Sequence, residues 1–195
     1  MKKAYKPCRL LERIFLRGKG RQKTRIIQRD GVFHEGDVFQ NSEAIKCDCV
    51  FQLLIDWKPD EIPNPGQFVM LRIDGLFLPR PMSISGFRNG LLTLTIRVKG
   101  KGTKALAAIP EGSELEIMGP LGKGGFPMPE KGERPLLLAG GMGFAPLLYL
   151  HDVLKEKGID HDFLYGERTK ADLCIDIPDM VFSTMDGSKG YGGTI

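Results

Sequence analysis

Two short segments of this 195-residue chain carry residue types at spacings that suit nucleotide chemistry. The first is Arg80-Pro81-Met82-Ser83. A guanidinium is a planar fork that matches two phosphate oxygens, so Arg80 suits a pyrophosphate. Pro81 fixes its own φ and has no N–H to satisfy, so it can hold Arg80 and Ser83 in a set geometry beside a planar ligand. The Ser83 hydroxyl donates and accepts, which suits a ring nitrogen whose protonation changes with redox state. The second segment is Gly140-Gly141-Met142-Gly143-Phe144-Ala145-Pro146. It is a glycine turn between an apolar strand and an apolar helix, where small residues let the backbone approach a dinucleotide closely. Two nucleotide sites on one short chain suggest electron traffic between two cofactors.

Each signal has a plainer counterpart. Arg80–Ser83 alone also fits a surface arginine ahead of a proline-bearing edge strand. The glycine turn is not G-x-G-x-x-G, and it also fits a structural tight turn. In Lys99-Gly100-Lys101-Gly102-Thr103, Gly102 and Thr103 open a helix whose free N–H groups would welcome phosphate, and the same residues fit a turn with solvated lysines. His34, His151 and His161 have no metal-ligand spacing, so no metal site is expected. Trp57 and Phe87 read as packing residues, and Asp186 has no evident partner.

The elements that must position these residues come in two styles, meeting near residue 130. Between about 36 and 127 the chain reads as short strands separated by Gly, Pro and Asn turns, which predicts an antiparallel barrel or sandwich. The strands are Val50–Asp56, Phe68–Ile73, Leu91–Val98 and Leu115–Met118. Thr103–Ile109 has helix-forming composition, with Thr103 as its N-cap. Gly119–Pro127 reads as a shaped connector. From 135 the pattern becomes βαβ, which favours a parallel sheet. Pro135–Ala139 reads as a strand buried on both faces, Ala145–Lys157 as a helix capped by Gly158, and Asp162–Gly166 as the next strand. Asp179–Thr184 adds a third strand.

Composition narrows the function further. The net charge of +4 conceals a split. Residues 1–29 hold eleven Lys/Arg and one acid, whereas the remainder holds seventeen Lys/Arg and twenty-three Asp/Glu. The acidic body argues against a nucleic-acid partner. The basic head reads as a flexible or partly helical extension without a catalytic role. No apolar run approaches the roughly 20 residues of a membrane helix, so no membrane partner is expected. Cys8, Cys47, Cys49 and Cys174 fit neither a disulfide scaffold nor a zinc site, and Cys47 and Cys49 read as core residues on one face of a strand. A reducing, cytoplasmic setting follows.

Taken jointly and in order, the motifs resemble the ferredoxin–NADP reductase superfamily, and within it the electron-transfer subunits of NAD-dependent dihydroorotate dehydrogenases. The matching pieces are Pro65–Val69, Arg80–Ile84, Gly100–Thr103 with Leu106, Gly119–Gly122 with Phe126, Gly140–Leu147 and Gly166–Arg168, with Asp186–Ser188 near Gly190 resembling the next segment. The resemblance covers roughly residues 36–195. It implies an antiparallel Greek-key β-barrel that binds FAD, followed by a partial parallel α/β domain for NAD(P)H. The division would be 1–35 basic extension, 36–130 FAD domain and 131–195 nucleotide domain. By the same resemblance Arg80 would bind the FAD pyrophosphate, Pro81 would set the segment, Met82 would lie against the flavin, and Ser83 would act at flavin N5. Ile96, Arg97 and Val98 would line the adenine–diphosphate side, and Gly102 and Thr103 would bind phosphate. Gly140, Gly141, Met142, Gly143, Ala145 and Pro146 would shape the nicotinamide cleft. The implied reaction is hydride transfer between NAD(H) and flavin, with electrons passed to a catalytic redox subunit in a hetero-oligomer or homodimer.

The chain also departs from that pattern. A [2Fe-2S] cluster needs four thiolates, and the cysteines present do not supply such a set, so none is expected on this chain. The α/β segment offers three strands and one helix, fewer than a doubly wound domain. The expectation is a sequence that stops mid-domain. The alternative is a shortened flavin-binding or assembly module that depends on a partner chain.

Overall fold

The strands of the first two-thirds of the chain carry an apolar inner face and close into a barrel around it. The computed structural model describes residues 4–17 and 49–195. Six strands are formed by β1 (Lys6–Arg17), β2 (Val50–Asp56), β3 (Phe68–Arg72), β4 (Arg80–Arg88), β5 (Leu91–Arg97) and β6 (Glu114–Leu121). They close in the order β1-β2-β5-β4-β3-β6, and every pairing is antiparallel. Phe51, Leu53 and Ile55 of β2 point inward, as do Leu92, Leu94 and Ile96 of β5, all at most 2% exposed. Helix α1 (Lys101–Ala108) plugs this core with Leu106 and Ala107. Each such side chain contributes about 1.5–3 kcal/mol of burial.

The basic head does not behave as expected where it is described. Residues 6–17 are neither flexible nor helical: they form β1 and close the barrel between β2 and β6. Cys8, Leu10, Ile14 and Leu16 are buried. Arg13 donates through Nη1 to the Ile109 carbonyl at 2.6 Å, and its backbone N–H donates to Glu111 at 3.0 Å. A register shift between Leu10 and Glu12 switches the buried face along the strand: Cys8 and Leu10 face the barrel core, whereas Ile14 and Leu16 face the α/β unit. The rest of that segment, with His34 and Cys47, lies outside the described residues. Cys49 is in the barrel core.

The second unit is a four-stranded parallel sheet ordered β10-β9-β8-β7. Its members are β7 (Leu136–Gly140), β8 (Asp162–Glu167), β9 (Val181–Thr184) and the short β10 (Tyr191–Gly192). Helix α2 (Phe144–Glu156) covers one face with Phe144, Leu148 and Leu154. Gly158, at φ +67°, ends it, and the Ile159 N–H reaches back to the Leu154 carbonyl at 2.9 Å. The expectation that β7 is buried on both faces is corrected. Leu137 and Ala139 are buried, whereas Leu136 and Leu138 are 55% and 53% exposed, because the described helix packs on one face alone.

The two units share a core. Ile14, Leu16, Val50 and Leu54, on the outer wall of β1 and β2, pack with Leu137, Phe144 and Phe163 of the α/β unit. Tyr149 of α2 enters the barrel cluster, and its hydroxyl donates to the Pro63 carbonyl at 2.7 Å. Trp57 and Phe87 pack edge to face at 5.9 Å, as packing residues do.

Candidate functional site

Strands β4 and β5 pair along only part of their length. Their register runs from Ile84↔Leu94 to Arg88↔Leu91, with a bulge between Ile84 and Gly86. Residues 80–83 of β4 pair with β3 alone, and residues 95–97 of β5 pair with β2 alone. A seam therefore opens in the barrel wall between 80–83 and 95–97. Backbone donors and acceptors along both lips lack ladder partners across it, which is a template for a ligand's polar edge. A buried polar chain holds the seam's closed end. Gln52 donates to Thr95 at 3.1 Å, Thr95 to Ser85 at 2.8 Å, and Ser85 to the Thr93 carbonyl at 3.0 Å.

One end of the seam is cationic. β5 leads through Val98, Lys99 and Gly100 into α1, and the first helical bond is Lys104 N–H to the Gly100 carbonyl at 2.9 Å. The N–H groups of Lys101, Gly102 and Thr103 lie in that first turn, beyond reach of any intrahelical carbonyl. Thr103 is not the N-cap expected from sequence. The helix starts at Lys101, and the Thr103 hydroxyl reaches back to accept from the N–H groups of Lys99 at 2.8 Å and Gly100 at 3.1 Å. Arg80 lies directly against this turn. A Cβ placed at Gly102 would sit 2.6 Å from Arg80 Nε and 3.3 Å from Leu76 Cδ1. Among the described residues the Arg80 guanidinium makes no ion pair or side-chain hydrogen bond. A cation beside the positive end of a helix is unfavourable by itself and favourable with an anion between them.

Alternation along β4 separates the other motif residues. Met82 is half-buried against the barrel core, while Pro81 and Ser83 are exposed on the outer wall, the side on which α2 packs. Ile96 and Val98 have their side chains in the core, so only their backbone faces the seam. Arg97 is engaged elsewhere. Its Nη2 donates to Glu167 Oε1 at 3.0 Å, a pair with side chains 17% and 6% exposed. Tyr165 donates to the same oxygen at 3.0 Å. Burial disfavours the Arg97 charge, but the Glu167 carboxylate outweighs that and holds the guanidinium pKa above its usual value. Burial, with Cys174 and Glu167 close by, pushes the Tyr165 phenol up.

Gly140 ends β7 and pairs with Gly166 of β8, so the glycine turn sits at the carboxyl end of the parallel strands. Gly141, Met142 and Gly143 form one tight turn that leads into α2, and Gly141 has φ +53°, which favours glycine. A Cβ at Gly140, Gly141 or Gly143 would meet nothing within 4 Å. The turn thus borders open space rather than protein, the opposite of glycines kept for packing. Ala145 is buried, and Pro146 lies in the first turn of α2, where its missing N–H costs nothing.

Two further clusters bring together residues separated along the chain. Glu167 and Tyr165 matter because β8 brings them to Arg97, 70 positions away. His151 and His161 form a hydrogen-bonded pair at 2.7 Å beside a cavity of about 290 Å³. That cavity lies where α2 ends and β8 and β9 begin. Ligands of open α/β sheets sit at the opposite, carboxyl ends. Asp186 is a local turn residue. Its carboxylate accepts from the Ser188 N–H and hydroxyl, which lowers its pKa.

No protein-family model matches the chain. It is 36% identical over 153 residues to the electron transfer subunit of dihydroorotate dehydrogenase B (NAD(+)) from Caldanaerobacter subterraneus subsp. tengcongensis, covering 75% of this chain and 59% of that protein. With the same subunit of Shouchella clausii it shares 38% over 144 residues, 68% of this chain and 55% of the other. The chain thus spans less than two thirds of the length of these curated relatives. Among solved structures, an NADH-dependent reduced ferredoxin–NADP oxidoreductase superposes with a TM-score of 0.67 at 23% identity, over 95% of this chain and 59% of that one. Phthalate dioxygenase reductase gives 0.64 at 14%, over 94% and 52%. These structural likenesses concern the fold.

Proposed function

From a chain that is a homologue of the dihydroorotate dehydrogenase B electron transfer subunits and folds like the ferredoxin–NADP reductases, we propose a flavoprotein that binds FAD along the β4/β5 seam and passes electrons between NAD(H) and a partner redox protein. The observation that carries this is the contact of Arg80 with the first turn of α1 at Gly102. A guanidinium without an ion pair among the described residues, helix N–H groups without an intrahelical acceptor and a glycine that leaves the backbone bare make a donor set that suits a pyrophosphate.

The residues then divide the work. Arg80 and the amides of Lys101, Gly102 and Thr103 hold the pyrophosphate. The unpaired backbone groups of 80–83 and 95–97 orient the flavin edge. Met82 lies against the ring system, and Ser83 holds or gives a proton at N5. Ile96 and Val98 contribute backbone only. Arg97 joins the barrel to the α/β unit through Glu167, instead of lining the ligand. Gly140, Gly141 and Gly143 leave room for a nicotinamide, with Met142, Ala145 and Pro146 setting the turn. FAD, when bound, supplies the hydride and single-electron chemistry. The partner of this reading is a dihydroorotate dehydrogenase-like catalytic subunit.

A second reading is a flavin-binding assembly module without nucleotide turnover. The exposed outer face of β7, with Leu136 and Leu138, favours it. Mixing the flavin-loaded chain with NADH in a stopped-flow instrument separates the two: rapid bleaching of the flavin band supports the first, a silent trace the second. The flavin reading itself is tested by titrating the purified chain with FAD. Arg80→Ala is expected to weaken binding about 10- to 150-fold, the equivalent of roughly 1.5–3 kcal/mol for a charge-assisted contact. A chain that takes up no FAD, or an Arg80→Ala variant that binds it unchanged, contradicts the assignment.

A further inference from the structure

Phe77 is 98% exposed, the most exposed large apolar side chain among the described residues. It sits in the 74–79 loop between β3 and β4, which no sequence motif singled out. Its apolar area stands in water, and no described residue covers it. The loop's position is specific, however. Its Leu76 side chain lies against the first turn of α1, sharing Gly102 with Arg80. Phe77 precedes Arg80 by three residues, a reach of at most about 10 Å.

We propose that Phe77 is the stacking platform for the adenine of the dinucleotide, and so the residue that makes the site select FAD over FMN. This rests on the flavin reading above. The direction follows from chain order. If the pyrophosphate lies at Arg80 and Gly102, the flavin follows β4 inward past Met82 to Ser83, because the seam runs that way. The adenosine half must then leave on the other side of Arg80, toward the end of the barrel where residues 74–79 project. A purine offers a flat π-face to an aromatic ring and needs no hydrogen bond to be held. FMN has no adenosine and would pass Phe77 by. Leu78, 59% exposed, extends the same apolar rim.

The test uses the full chain stripped of flavin and titrated separately with FAD and FMN, following flavin fluorescence. Wild type is expected to bind FAD at least tenfold more tightly than FMN. Phe77→Ala is expected to weaken FAD about tenfold and to leave both FMN affinity and the melting temperature unchanged. Phe77→Trp is expected to restore FAD binding, and Phe77→Leu is not. A Phe77→Ala variant that keeps wild-type FAD affinity overturns the proposal, also if it fails to assemble with a partner chain, which would make Phe77 a docking residue. Equal loss of FAD and FMN overturns it as well. A wild type that binds neither flavin removes the flavin reading itself, a result distinct from both.

Discussion

Gly102→Ala separates ligand binding from stability at a single atom. Gly102 lies in the first turn of α1, and its φ is not in the left-handed region, so alanine meets no backbone strain there. Alanine is the better helix former by about 0.8–1.0 kcal/mol in a helix interior, and we take about half of that near the helix start. The new methyl would stand 2.6 Å from Arg80 Nε, where ordinary contact begins at 3.4 Å. The backbone need not give way, since the obstacle is a flexible side chain. Arg80 must retreat by roughly 1 Å, enough to break charge-assisted hydrogen bonds that hold at about 2.7–2.9 Å. The loss of about 1.5–3 kcal/mol predicts a Kd for FAD about 10- to 150-fold weaker. Thermal melting of the ligand-free protein should stay level or rise by a degree or two. Fluorescence titration with FAD and a melt of the same preparation read both quantities. A variant that binds FAD as tightly as wild type would falsify the placement of Arg80 on the phosphate. A variant that melts much lower would show that the glycine serves packing.

Two further outcomes test how the frame around the site is held. Glu167→Ala leaves the Arg97 guanidinium mostly buried without its carboxylate, and should cost about 3 kcal/mol of unfolding free energy in a urea titration. Arg97→Met with Glu167→Gln should recover part of that, since an uncharged pair of similar size leaves no buried charge unpaired and the new amide can still accept from Tyr165. Burial pushes the Cys8 thiol up to about 12, against an ordinary value of 9.0, so it should resist alkylation at pH 8 until the chain unfolds. The sign follows from linkage. The folded form keeps its proton longer, so this contribution is full below pH 9.0 and is lost as pH rises toward 12. Rapid labelling of native Cys8, read by mass spectrometry, would count against its place in the core.

Much of this frame was legible because two styles of sequence meet near residue 130. Apolar, β-rich runs between turn residues marked β2, β3, β5 and β6, and the switch at Pro135 to a βαβ pattern marked the parallel sheet. Gly158 ended α2 where expected because only a residue tolerant of positive φ can close that helix. β1 was missed because five charges are spread among its apolar residues and two register shifts, at Leu10/Glu12 and Phe15/Arg17, break the alternation that would mark a strand. The double burial of β7 was misread because a short apolar run gives no indication of how many helices will cover it. Within the candidate site, Arg80 and Gly102 stood out by residue type, and the structure brings these two together at the first turn of α1. The seam did not stand out, since it depends on where β4 and β5 stop pairing, and that register is set by a bulge at Ser85 that has no sequence mark. The Arg97 ion pair was hidden for the same reason: its partner, Glu167, arrives from a different sheet.

Charge placement at the cationic end of the seam favours a ligand site over packing. Arg80 beside the N-terminus of α1 sets like charges together, a repulsion of about 0.3–1 kcal/mol at a partly exposed helix end. A residue kept for stability would carry the opposite sign there. Arg80→Ala should therefore melt no lower than wild type without flavin, the reverse of what loss of a structural arginine does. With FAD added at 100 times the wild-type Kd, wild type should gain about 2.7 kcal/mol and the variant far less. The two melting curves should then lie close together without ligand, or with the variant slightly higher, and separate in the other direction with it. If the variant is destabilised by the same amount in both conditions, Arg80 holds the fold together and the phosphate site must be sought elsewhere.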